Sequence, residues 1–402
     1  MKVLVLNCGS SSVKFLIYDM DGEIKCAKGV VERVGQNDAA YSFTDFERSD
    51  EGNLEGNPDH ENAIKKIITF LKDFEIIKES SEIQGVGHRV VHGGEKYTSS
   101  VKIDDDVCAA IKEISNLAPL HNPHNLAGIE IARKLLPQAE QVAVFDTAFH
   151  QTMKPEAFLY ALPYDFYTQY KVRRYGFHGT SHLYISRRIV EATNTPIQGT
   201  KIISAHLGNG CSISAIKDGK VIETSMGMTP IEGLIMGTRC GDIDAGIIAL
   251  LIKEGGLSAD PDADNYFDRI LNKKSGLLGI SGVSNDMREI QEKMKNGNDR
   301  AELAFRITAR RLRKYIGAYV GLLGGVDFLV FTAGIGENSS EMREAATKGL
   351  DCMGLILDRG KNREAQGEAC ISTDNSPGQI WILPTKEELY IARDTKRIIQ
   401  QK

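Results

Sequence analysis

The chain runs to 402 residues, more than one hydrophobic core ordinarily supports, so two domains are expected. Its 49 basic and 54 acidic residues leave a net charge of −5, which argues against nucleic acid or a membrane surface as a partner held by bulk attraction. Seven cysteines without a Cys-x-x-Cys pair, an N-terminus that enters a strand directly and no apolar run of spanning length point to the reducing cytoplasm.

Residues 1–7 read as a buried strand, Cys8-Gly9-Ser10-Ser11-Ser12 as a turn of small residues, and residues 13–18 as a second strand closed by Asp21-Gly22. Residues 32–57 are polar and contain glycine, and Ile64, Ile67, Ile68 and Leu71 then recur at helical spacing over 60–74. Residues 83–94 form a strand delivering His88, Arg89 and His92 into a glycine loop, the kind of strand end where α/β folds keep chemistry. Asp104-Asp105-Asp106 opens a helix, where acidic residues suit the macrodipole, and is assigned no function. Residues 141–150 are a strand ending in polar side chains, and the Pro- and Tyr-rich stretch 153–170 marks a domain boundary.

Residues 201–222 repeat the opening design: a strand to Leu207, the turn Gly208-Asn209-Gly210-Cys211-Ser212, a return strand and the hairpin turn Asp218-Gly219. Two copies imply two similar halves. Residues 324–331 read as a strand entering a further glycine turn over 332–338, with a helix from Ser340. Residues 379–383 are a last strand, after which Pro384 punctuates and Thr385 caps the final helix, with Glu388 at the third position of a capping box.

Neither a Gly-x-x-x-x-Gly-Lys-Ser/Thr loop nor a complete Gly-x-Gly-x-x-Gly is present. Four segments could instead expose backbone N–H groups to phosphate: 7–12, 206–210, 286–288 and 334–338. Arg89, His178 and Arg239 each sit among small neighbours that leave room to reach a ligand. Fixed guanidinium and imidazole donors are what phosphoryl transfer needs around its equatorial oxygens.

Asn7–Lys14, His88–Gly94, Phe145–His150, Arg174–His182, Met236–Asp242 and Gly334–Asn338, six ordered motifs spread along the chain, resemble the acetate kinase family. The resemblance implies an α/β, duplicated ribonuclease-H-like two-domain fold of the actin, hexokinase and heat-shock ATPase superfamily, assembled as a homodimer. Expected boundaries are 1–150, joined by a C-terminal helix over 385–402, and 151–384, which carries most of the nucleotide site. It further implies reversible, in-line transfer of the ATP γ-phosphoryl group to acetate, giving acetyl phosphate and ADP, with Mg²⁺ required or Mn²⁺ in its place.

Carried over by matching positions, Asn7 and Glu387 lie at the metal, and Ser10, Ser12, Lys14, His206, Leu207, Gly208, Asn209 and Gly210 serve ATP phosphates. Asp286, Met287 and Arg288 with Gly334, Ile335, Gly336, Glu337 and Asn338 line the nucleotide site. Arg89 holds the substrate carboxylate beside an apolar pocket of Val91, Leu120, Phe177 and Pro230, while His178 and Arg239 stabilise the transferring group. Asp146 is the family's essential acid. Acetate is already ionised at neutral pH, so Asp146 is expected to position an Arg or the metal rather than act as a base. A propionate or butyrate kinase is the nearest alternative, and an assembly or chaperone-like ATPase the distant one, since this fold hosts both.

Overall fold

The computed structural model describes residues 1–119 and 121–401. It divides into two compact units, residues 1–151 with 386–402, and residues 152–385. The first is built on an eight-stranded sheet: β1 (Lys2–Cys8), β2 (Ser12–Asp19), β3 (Ile24–Glu32), β4 (Ala40–Thr44), β5 (Ser49–Asn53), β6 (Ile83–Val90), β7 (Val101–Lys102) and β8 (Glu140–Phe145). Their spatial order is β5-β4-β3-β2-β1-β6-β8-β7. β1, β2 and β3 pair antiparallel, whereas β6 and β8 run parallel to β1.

The central strands are apolar on both faces because both are covered. Leu4, Leu6, Phe15 and Ile17 pack with Ile64, Ile67, Phe70 and Leu71 of the helix His60–Asp73, whose start is capped by Asp59. Val3, Val5, Leu16 and Tyr18 pack on the opposite side with Leu389, Ile391 and Ala392 of the helix Glu387–Gln400. That second helix lies very close to β6. A Cβ added to Gly87 would sit 2.5 Å from Thr395 Oγ1 and 2.6 Å from Ile391 Cγ2, so these contacts require glycine.

The second unit carries β9 (Lys201–Leu207), β10 (Cys211–Lys217), β11 (Lys220–Thr224), β12 (Phe328–Thr332), β13 (Ala369–Cys370) and β14 (Gln379–Ile382) in the order β11-β10-β9-β12-β14-β13. Here too three antiparallel strands, β11, β10 and β9, precede two parallel ones, β12 and β14. The five-strand plan β3-β2-β1-β6-β8 therefore recurs as β11-β10-β9-β12-β14, which is the duplicated ribonuclease-H-like arrangement.

Several local expectations need correction. The polar stretch 32–57 contains β4 and β5. The glycine turn expected over 332–338 is a short helix, Ala333–Asn338, entered through Ala333 at φ 64°, and Gly324 ends the long helix Asp299–Leu323 instead of starting a strand. Thr385 caps nothing: the last helix begins after Lys386 without a side-chain cap, so Glu388 completes no capping box. Thr385 Oγ1 instead meets Ser181 Oγ at 2.9 Å. No helix among the described residues is long and apolar enough to cross a membrane.

Candidate active site

In the first unit, β6 and β8 end side by side and bring Arg89 and Asp146 together. Arg89 Nε donates to both Asp146 oxygens at 3.1 Å, and Nη2 donates to Oδ2 at 2.5 Å. Asp146 is buried and its N–H donates to Val90 O at 3.0 Å, extending the ladder by one bond. The carboxylate raises the Arg89 guanidinium above its already high range and fixes its plane. Nη1 makes no hydrogen bond among the described residues.

The loop after Arg89 is stitched down by buried amides from the helix Asn122–Leu135. Val91 N donates to Asn125 Oδ1 at 3.1 Å, and Asn125 Nδ2 donates to Cys8 O at 2.7 Å. His92 N and O pair with the amide of Asn122 at 3.1 and 2.9 Å. Asn122 and Asn125 therefore fix the ends of β1 and β6 relative to each other. They were not singled out from the sequence, although two asparagines spaced three apart at the start of a helix are a signal that buried amides are serving loops.

Asn7 and Lys14 face each other across β1 and β2 and line a cavity of about 370 Å³ with Lys28, Ser42, Thr44 and Glu388. Ser10 is exposed in the turn, and Gly9 N closes that turn on Ser12 O at 2.8 Å. Glu387 lies where burial, Asp146 and Glu388 push its carboxyl up to about 7 against the opposing pull of Arg89. An excess of carboxylate over guanidinium suits a divalent cation, and no cluster of three His, Cys, Asp or Glu ligands exists among the described residues. Asn7 and Glu387 are oxygen donors, the ligand type that Mg²⁺ takes in small number while keeping most of its waters.

In the second unit, a cavity of about 810 Å³ is lined by Gly208, Asn209, Asp286, Met287, Arg288, Gly334, Ile335 and Asn338. Ser284, Asn285, Glu289, Gln291 and Ser339 complete it and were missed, being single polar residues outside any glycine-rich pattern. Asp286 caps the helix Met287–Lys295 and pairs with Arg288 at 2.5 Å. Five of the nucleotide residues expected in this unit do not line this cavity. Leu207 is buried, Gly336 packs on β12, and burial raises the Glu337 carboxyl, which accepts from Thr385 N at 3.4 Å. His206 stacks on His178 and Gly210 lies against His178 and Arg239 instead.

The His178 and Arg239 side chains converge on Gly210: a Cβ there would lie 3.4 Å from His178 Cε1 and Nε2 and 3.6 Å from Arg239 Nη1. Arg239 Nη1 donates to Pro230 O at 3.0 Å. Asp242 steadies the same loop, accepting from Gly233 N at 2.8 Å and from Tyr315 Oη at 3.0 Å. His178 adopts a left-handed φ of 58° before the helix Gly179–Thr193, and its ring stacks on His206 with centroids 4.2 Å apart. Phe177 beside it is buried in this unit, Val91 is buried in the first, and Leu120 lies outside the described residues.

Residues 2–393 match the sequence profile of the Acetokinase family. The chain is 51% identical over 403 residues, covering all of both chains, to an acetate kinase of Halothermothrix orenii. Among solved structures it is similar to the Porphyromonas gingivalis acetate kinase, with a TM-score of 0.94, 47% identity and coverage of 99% of this chain and 100% of that one. It is also similar to a propionate kinase from Francisella tularensis, with a TM-score of 0.91, 40% identity and 99% of each chain covered.

Proposed function

Because this chain belongs to the acetokinase family, we propose that it is an acetate kinase, transferring the γ-phosphoryl group of ATP reversibly to acetate. The observation that carries this reading is the full-length identity of about half to enzymes of that name. A carboxylate oxygen of acetate attacks the γ-phosphorus, the bond to the β–γ bridging oxygen breaks, and ADP leaves with that electron pair. No proton moves, since acetate is ionised at neutral pH.

Arg89 binds the acid through the guanidinium edge that Asp146 leaves open, so Asp146 is a positioning residue. The nucleotide occupies the cavity between Gly208 and Asn338, and His178 and Arg239 donate to the oxygens on which charge spreads. Asn7 and Glu387 would hold Mg²⁺, which would supply neutralisation of phosphate charge. Leu207, Gly336 and Glu337 support the nucleotide site from behind.

The assembly is a homodimer, supported by an apolar helix on the surface of the second unit. The seven cysteines are free thiols, which supports a reducing cytoplasmic location. Propionate is the second reading, supported by the likeness to a propionate kinase. One methylene in an apolar pocket changes discrimination by roughly 1–3 kcal/mol, so the acids must be compared directly. The test is ADP release with Mg²⁺ATP and hydroxylamine, using acids of two, three and four carbons. The expected result is trapped hydroxamate, greatest with acetate; ATP hydrolysis indifferent to acid would overturn the proposal.

A further inference from the structure

Behind His178 runs a chain of buried polar groups. His178 Nδ1 lies 2.9 Å from Ser212 Oγ, Ser212 Oγ 2.7 Å from His182 Nε2, and His182 Nδ1 2.9 Å from Ser204 Oγ. Ser204, His182 and Ser212 are all fully buried. The two imidazoles stand one helical turn apart, at the N-cap and in the first turns of Gly179–Thr193, while the serines come from the paired strands β9 and β10.

A hydroxyl carries one proton, so Ser212 can donate to only one of the two ring nitrogens flanking it and must accept from the other. His178 stacks on His206 and shares the space above Gly210 with the Arg239 guanidinium, a like charge that disfavours a proton added to the His178 ring. A neutral His178 can donate to a phosphoryl oxygen from its Gly210-facing edge only with its proton on Nε2, which makes Nδ1 an acceptor. Ser212 must then donate to Nδ1 and His182 Nε2–H must donate to Ser212; with His182 kept neutral by its full burial, Ser204 Oγ–H donates to His182 Nδ1. Each of these three hydrogen bonds is thereby given a direction.

We propose that Ser204, His182 and Ser212 hold His178 as the neutral Nε2–H tautomer, so that a hydrogen-bond donor faces the transferring group before substrate arrives. Ser212 is then a positioning residue. This rests on the reading of His178 as a phosphoryl contact, and no bond to hydrogen breaks in the transfer.

The test is two-bond ¹H–¹⁵N correlation on the full-length protein labelled in its histidines, with His178→Gln identifying the His178 signals. The expected spectrum at neutral pH shows a pyrrole-type Nε2 and a pyridine-type Nδ1. In Ser212→Ala the His178 signals become those of mixed tautomers. Its kcat falls by about tenfold to a hundredfold, no more than deleting one such donor costs, with KM for the nucleotide unchanged. If Ser212→Ala does not fold, Ser204→Ala removes only the far donor and must move the same signals in the same direction. An Nδ1–H tautomer or an imidazolium in the wild type, or signals unmoved by either variant, overturns the proposal. Full activity in His178→Gln would instead overturn the reading of His178 as a phosphoryl contact, leaving the tautomer to be judged by the spectrum.

Discussion

At the scale of single residues, the sequence displayed the charged side chains of the site but not what each one faces. Arg89 and Asp146 were visible as strand-end residues, yet their pairing depends on β6 and β8 being neighbours, which no local pattern encodes. Arg89→Ala leaves a buried carboxylate without its partner, and such a loss costs about 3 kcal/mol. We expect that loss in urea denaturation, together with abolished acid saturation and unchanged ADP affinity by calorimetry; an unaltered KM for acetate would remove Arg89 from the acid site. His88, next in the chain, is buried against Gln141 Oε1 at 2.8 Å, and burial lowers its pKa from 6.5 to about 4. The folded state thus binds this proton more weakly than the unfolded chain. The stability His88 confers is complete above pH 6.5 and is lost as the pH falls towards 4, by about 3 kcal/mol in all. His88→Asn should flatten that part of the stability curve, and urea midpoints falling equally steeply in both proteins would refute the assignment.

At the scale of elements, legibility followed periodicity. The helix His60–Asp73 showed itself because its apolar residues repeat at helical spacing, whereas β4 and β5 are short, polar outer strands in which Phe43 is the one fully buried apolar residue. The helix Asn122–Leu135 escaped notice because its buried face mixes asparagine and glycine with leucine and isoleucine. Thr385 looked like a cap from its spacing to Glu388, but its hydroxyl is occupied by Ser181. Gly85 and Gly87, by contrast, are the reason the last helix can approach β6. A Cβ on Gly85 would fall 2.5 Å from the mobile tip of Ile399, while at Gly87 it would meet the branched bodies of Thr395 and Ile391. We therefore expect Gly87→Ala to destabilise by about 1–3 kcal/mol through overpacking, and Gly85→Ala by less. Because the displaced helix begins at Glu387, Gly87→Ala should also raise the Mg²⁺ concentration giving half-maximal rate. A Mg²⁺ titration identical to wild type would separate the helix packing from the metal site.

At the scale of the whole molecule, duplication was legible because a small-residue turn between two apolar strands is easily seen twice, and both sheets share the five-strand order. We expect association with a second copy to be carried by different residues. The helix Gly246–Lys253 reads Gly-Ile-Ile-Ala-Leu-Leu-Ile-Lys, yet none of its residues is buried, and Leu250 is 56% exposed with Ile247 at 43%. A helix apolar on every side belongs in a core or beneath a partner, and contiguous exposed apolar surface of this kind marks an interaction site. Ile243, Leu251 and Ile252 extend the patch. In a twofold dimer the same patch meets itself, so one substitution places a charge on both sides of the contact. We expect the wild-type protein to sediment at twice its 44.2 kDa chain mass and Leu250→Glu to sediment as the single chain, with its melting temperature made independent of protein concentration. Dimeric Leu250→Glu would assign the contact to another surface, and a monomeric wild type would refute the homodimer itself.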